Sequence, residues 1–311
     1  MSVNTSLSER PSTSIEPGRN AVMQVNSPVR QAWRRFRRHY LASIGLALFG
    51  LILLLTLAAP LVARYPYEAL NLRDKFQAPS LNHFLGTDRV GRDIWSRTLY
   101  GGRISLAVGI SAALMSTFIG TVLGALSGYY GRTTDMLIMR FTDVVMTFPR
   151  VVIILTVAIY LGQSLANVIL LIGLFSWPDT ARLVRGQVLA IREQQFVLAA
   201  HALGVRNAGI IIAHVLPNVV APLLAAITFA VNEAILLEAG LSFLGVGVPL
   251  PTPSWGNMLE TARSLDVLQD GPWIWIPPAV MILLTVLSIN FIGDGLRDAI
   301  DPRHIQQRTG A

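Results

Sequence analysis

The sequence predicts an all-α integral membrane protein with six transmembrane helices, and three observations predict it. Of 311 residues, 52% are hydrophobic and 14% charged, with mean hydropathy +0.53, a balance far from that of soluble domains. Apolar runs of membrane-spanning length recur along the chain, the first of them uncharged. The connections between the runs are polar, basic or rich in glycine and proline. The chain has no cysteine, which excludes disulfides, thiolate metal sites and cysteine nucleophiles. A net charge of +7 in such a chain reads as an orientation signal rather than a nucleic-acid footprint.

Residues 1–29 are rich in Ser, Asn, Pro and Glu with little to bury, and are expected to form a disordered cytoplasmic tail. Residues 30–40, R-Q-A-W-R-R-F-R-R-H-Y, place Trp33, Phe36 and Tyr40 on one helical face among arginines. That face is expected to lie on the membrane surface and bind anionic lipid headgroups, with nucleic acid the disfavoured alternative. Residues 41–63 make an apolar helix roughly 34 Å long against a hydrocarbon core of about 30 Å, enough for the first transmembrane helix. It is too long for a cleaved signal peptide, and the preceding arginines hold the N-terminus in the cytoplasm.

Residues 64–103 are polar and read as a periplasmic loop. Gly86 and Gly91 supply tight turns in N-H-F-L-G-T-D-R-V-G-R-D, and Asp88, Arg89, Arg92 and Asp93 read as a charge-paired fold of the loop or as a contact for another protein. This stretch resembles the loop between the first two spans of ABC-importer permeases of the dipeptide, oligopeptide and nickel class, where L-G-T-D-x-x-G-R-D recurs. The resemblance places the loop outside, although it carries Arg64, Arg73, Lys75, Arg89, Arg92, Arg97 and Arg103. The tail and first helix then set the orientation.

A five-helix permease core is expected over 104–297. Its first member, the second span at 104–130, carries Gly120, Gly124 and Gly128 at intervals of four, a stripe that lets another helix approach closely. The third span runs to about residue 161 and is bent by Pro149, which removes a backbone hydrogen bond and clashes with the preceding turn. Arg140 and Asp143, three apart, are expected to pair on one face. The fourth span, about 165–183, returns the chain to Arg182, Arg185 and Arg192 in the cytoplasm.

Residues 193–218, E-Q-Q-F-V-L-A-A-H-A-L-G-V-R-N-A-G-I-I-I-A-H-V-L-P-N, are too polar for a further span. Helix formers at 194–203 and Gly204 after them predict a short helix stopped by a left-handed glycine. After a turn at 205–208, an apolar run leads to Pro217, placed to open the next helix. The product is an elbow with Phe196, Leu198 and Leu203 as an apolar knob outside the bilayer. Ala199, Ala200, Gly204, Leu216 and Pro217 match the signature loop of ABC-importer permeases, E-A-A-x-x-x-G followed by L-P. Leu198 stands where that family often has Glu. The resemblance implies that this loop is the cytoplasmic coupling helix, docked in a groove of the ATPase, with Ala199, Ala200 and Gly204 permitting close approach.

The fifth span, 219–239, contains Asn232 and Glu233, candidates for the translocation path because an ionisable group at that depth usually faces a partner or water. Glu233 reads either as a structural hydrogen-bond partner or as a lining group. Glu238 lies roughly 140° around the helix from it, so the two do not form a dyad. Residues 241–272, with S-F-L-G-V-G and P-S-W-G-N-M-L, are too rich in glycine and proline for a continuous span and again resemble the peptide-class permeases. Trp255, Trp273 and Trp275 suit the membrane interface. The sixth span covers about 273–292, and 298–311 read as a cytoplasmic C-terminal tail. Six crossings put both ends in the cytoplasm.

No catalytic constellation and no metal site is visible. The only lysine, Lys75, follows Asp74, so no phosphate-binding Gly-Lys loop exists here. His201 and His214 read as ordinary polar residues of the elbow. The chain is therefore not expected to be an enzyme or to hold a cofactor. The resemblance, covering nearly all of 34–303, implies a type I ABC importer permease fold and alternating access, with ATP bound by two separate ABC ATPase subunits. It implies further partners, namely a homologous permease subunit forming a heterodimer and a periplasmic or lipid-anchored substrate-binding protein. It places the chain in the bacterial inner membrane and makes dipeptides or oligopeptides the expected cargo, with glutathione or nickel as alternatives. The rival from another class is an ion-coupled secondary transporter using Glu233, Glu238 or Asp143, against which stands the lack of a visible inverted repeat.

Overall fold

A computed structural model describes residues 36–37 and 39–300, and within them every regular element is a helix. The first, α1 (Tyr40–Leu57), is followed by the short α2 (Ala59–Val62). After a loop come α3 (Ile94–Tyr130), α4 (Arg132–Thr147), α5 (Arg150–Leu161), α6 (Leu165–Phe175) and α7 (Trp177–Arg192). The elbow carries α8 (Gln195–Ala202) and α9 (Asn207–Ile210), leading into α10 (Leu216–Phe243). Two short helices, α11 (Trp255–Glu260) and α12 (Leu265–Asp270), precede α13 (Pro272–Ile300).

Four helical segments are long and apolar enough to cross a membrane: 40–57, 94–130, 207–243 and 272–299. The pair α4 and α5 qualifies as a fifth, bent by 81° at Phe148 and Pro149. Pro149 thus breaks the third span outright, because its ring excludes the helical conformation from the residue before it, and Phe148 is extended (φ −94°, ψ 140°). The expected fourth span is divided at Ser176 into α6 and α7, each shorter than a membrane crossing. Trp177 and Pro178 open α7, where a missing amide hydrogen costs nothing.

Helix α3 organises the packing and begins ten residues before the expected start of the second span. Asp93 caps it, its carboxylate accepting from Ser96 N at 2.8 Å, and Arg97 and Thr98 are buried within its first turns. The loop predicted over 64–103 therefore ends at 93. The glycine stripe lies against α7: a Cβ on Gly120 would come within 2.8 Å of Trp177 O, and one on Gly124 within 2.4 Å of Ala181 O. A Cβ on Gly128 would stand 2.8 Å from Val188. The backbones of α3 and α7 are in contact along this line, as the spacing predicted.

Ile52, Leu106, Ile235, Trp255 and Ile282 form the core that joins α1, α3, α10, α11 and α13. Trp255 is a core residue and not, as expected, an interfacial one. It is fully buried, and its indole donates to Thr98 O at 2.9 Å, which satisfies the ring's one polar group away from water. Trp273 is tied to the α2–α3 loop through Thr87 O at 3.2 Å. Phe36 is also buried, packed on Ala42 and Gly295, whereas Tyr40 is exposed. These two rings do not share one surface-facing stripe, and Trp33 and the tail lie outside the described residues, as do 301–311.

The α2–α3 loop folds on its own charges. Gly86 and Gly91 take φ of 72° and 79°. Asp88 is buried and accepts from Arg92 at 2.6 Å and from the backbone amides of Val90 and Arg92 at 2.9 Å. Asp93 also meets His83 at 2.8 Å, and Arg89 pairs with Asp266 beyond α11. Asp143 bonds Arg182 on α7 at 2.7 Å, a partner the three-residue spacing to Arg140 had hidden.

Candidate functional site

The elbow between α7 and α10 has two faces. Its inner face is apolar and seated: Val197, Ala200, Ile210, Ile211 and Val215 are buried against Ala125 of α3 and Val184, Val188 and Ile191 of α7. Leu216, half-buried, closes the cluster. Its outer face carries Phe196 (39% exposed), Leu198 (58%) and Leu203 (84%), with Ala199 also exposed. An amphipathic helix of eight residues that hides Val197 and Ala200 presents its remaining apolar side chains outward, and none of the described residues covers them. Phe196, Leu198 and Leu203 are thus all exposed on the elbow.

Gly204 fixes the turn between the faces. Its φ is 77°, and a Cβ there would meet nothing, so backbone conformation and not space selects glycine. Gly204 N donates to His201 O at 3.0 Å and Val205 N to Ala200 O at 3.2 Å, the paired bonds that close a helix on a left-handed residue. The elbow is thereby shaped by hydrogen bonds as well as packing.

Pro217 stands in the first turn of α10, as expected, but α10 is not separated from the turn of helix before it. It lies in a continuous helical run from Asn207 to Phe243, immediately after a π-helical turn at Ile211–Val215. The wider turn absorbs a proline ring that would otherwise press on the carbonyl four residues earlier. The elbow is consequently one short helix, α8, joined by a tight turn to the long helix that enters the bundle.

Polar bonds brace the base of the elbow. Arg185 of α7 donates to Asp135 of α4 at 2.6 Å, Ser127 of α3 donates to the same carboxylate, and Arg192 donates to Gly128 O at 3.0 Å. Tyr129 of α3 donates to Asn207 at 3.1 Å. A push on α8 therefore meets α3, α4, α7 and α10 together. His201 is exposed, and His214 is half-buried in the π turn.

Asn232 and Glu233 are separated by the helix. Asn232 is buried and donates to Asn290 of α13 at 2.6 Å. Glu233 points the other way, into an open cavity of about 350 Å³, where it pairs with Arg150. Glu238, which sequence reasoning set aside, is fully buried and accepts from Ser105 of α3 and Ser242 at 2.8 Å each. Ser242, one turn further along α10, was its signal in the sequence. The predicted angular separation of Glu233 and Glu238 holds. His83, hidden between Asp93 and the Tyr65 ring, was also missed. Among the described residues no cluster of three metal-ligating side chains occurs.

With this geometry in view, the chain matches two family models. Residues 120–306 match the binding-protein-dependent transport system inner membrane component, and 27–79 match the N-terminal transmembrane domain of oligopeptide transport permease C. It is 45% identical over 276 residues to a peptide permease protein of Brucella suis, covering 89% of this chain and 91% of the relative. It is 42% identical to the dipeptide transport system permease protein of Alkalihalophilus pseudofirmus, over 89% of this chain and 90% of that one. It is 39% identical to the oligopeptide transport system permease protein of Bacillus subtilis, over 88% and 89% respectively. The chain belongs to the family of binding-protein-dependent transport system inner membrane components.

Proposed function

We propose that this chain is the permease subunit of an ABC importer that carries peptides across the bacterial inner membrane. It works beside a homologous permease, two ATPases and an external binding protein. The observation that carries the mechanism is the elbow's division into an exposed apolar knob and a buried inner face continuous with α3, α7 and α10. A knob of this kind fits a socket on another protein, and its rigid seating passes a displacement to the helices. Closure of the ATPases on ATP pulls the elbow and rocks the bundle between outward- and inward-open states. The names of the similar proteins support dipeptides or oligopeptides as cargo. In this reading α6 and the first part of α7 together make the fourth of six crossings, both ends of the chain are cytoplasmic, and Glu233 lines the path.

ATP-dependent uptake of a radiolabelled peptide pool into proteoliposomes holding all partners tests the proposal. Uptake that requires ATP and the binding protein supports it, and uptake driven by a proton gradient without ATP overturns it.

A further inference from the structure

The breaks that divide α4 from α5 and α6 from α7 border the same cavity. Phe148 and Pro149 of the first break and Phe175 and Pro178 of the second line it, with Leu237 and Glu233 of α10 opposite. Arg150, the first residue of α5, joins three helices there: it donates to Asp179 in the first turn of α7 at 2.7 Å and to Glu233 of α10. One guanidinium faces two carboxylates, so the group carries a net charge of one negative unit. Arg150 and Glu233 line the cavity, Asp179 stands beside it next to the lining Pro178, and the remaining lining residues are uncharged.

Each carboxylate spends one oxygen on Arg150, which leaves Glu233 Oε2 and Asp179 Oδ1 without a partner among the described residues. Their side chains are 47% and 58% exposed, against 21% for Arg150, so the acids are more open than the base that joins them. An unbalanced negative charge in apolar surroundings attracts and holds a cation. The cavity, about 350 Å³ between two aromatic rings, has the dimensions and mixed lining of a small-ligand site.

From this geometry we infer a binding site for a primary ammonium group, bridged by Glu233 and Asp179 and held in place by Arg150. The rings of Phe148 and Phe175 take the apolar part of the ligand. The inference rests on the proposed peptide transport, in which the ammonium is the peptide's free N-terminus or a lysine side chain. The aromatic walls and two carboxylates then favour a short peptide with an unblocked amine over one whose amine is acylated.

Saturation-transfer NMR on the permease and ATPase complex in nanodiscs, without binding protein, tests the site with alanyl-alanine, N-acetyl-alanyl-alanine and N-acetyl-alanyl-lysine. Alanyl-alanine is expected to give a signal at least about five-fold above the acetylated dipeptide, and Asp179→Asn with Glu233→Gln is expected to erase the difference. A signal regained with N-acetyl-alanyl-lysine assigns the lysine side chain as a second source of the same group. ATP turnover within about two-fold of the unmodified complex shows that the variant still assembles. Equal signals from free and acetylated peptides, no signal from any peptide, or a preference unchanged in the double variant each overturn the site. Peptide uptake that persists despite such a result leaves the transport function standing and removes only this inference.

Discussion

The α2–α3 loop and the elbow are both polar connections built on a dense motif, and they use their residues in opposite ways. In the loop the motif turns inward. Thr87, Asp88 and Asp93 are buried, each acidic group is matched by a cation or a backbone amide, and Asp93 starts α3. In the elbow the motif divides, with Ala200 inside and Leu198, Ala199 and Leu203 outside. The loop satisfies itself, whereas the elbow leaves apolar surface that none of the described residues covers. A motif's information thus goes into folding in one place and into association in the other, and burial tells them apart.

Gly204→Pro should have the largest effect on this contrast. Proline fixes φ near −65° where 77° is needed and removes the bond to His201 O, so uptake in proteoliposomes should fall by about two orders of magnitude. Leu203→Glu comes next. It places a charge at the most exposed point of the knob, costing about 2 kcal/mol or more of docking, or roughly a thirty-fold loss of coupled uptake, with the thermal midpoint unchanged. Asp93→Ala should do the reverse, removing a helix cap and the His83 pair for a stability loss of about 2 kcal/mol, measured by thermal denaturation, with uptake per folded transporter retained. Arg89→Gln is the smallest: its pair with Asp266 is half exposed on both sides, and loss of about 0.5 kcal/mol or less is expected in the same melting assay. A Leu203→Glu variant that melts early, or an Asp93→Ala variant that melts normally while uptake fails, would erase the distinction between the two regions.

Much of this was legible in the chain itself. Regular spacing exposed the glycine stripe, and the left-handed preference of glycine located the end of α8 at Gly204. Proline at 149 marked the break in the third span. The start of α3 was hidden because Arg97 and Arg103 look like loop residues, whereas the fold buries Arg97, whose guanidinium donates to Tyr67 O at 3.3 Å. Trp255 misled in the same way, since its hydrogen-bond partner, Thr98, is 157 residues distant. The cavity around Arg150 needed three helices, at residues 150, 179 and 233, to come together, a juxtaposition that no local pattern encodes. Long-range pairing, not helix propensity, is what the sequence left unread.

The most direct test of the elbow's role uses the chain's lack of cysteine. A single Leu203→Cys substitution carrying a photoactivatable cross-linker, in the assembled transporter, should attach to an ATPase subunit, and the same probe at exposed Leu61 in α2 should not. Cross-linking of Leu203 to the ATPase, changed in yield by ATP, is the result this account predicts. A probe at Leu203 that reaches no ATPase in a complex still competent for ATP-dependent uptake would contradict it.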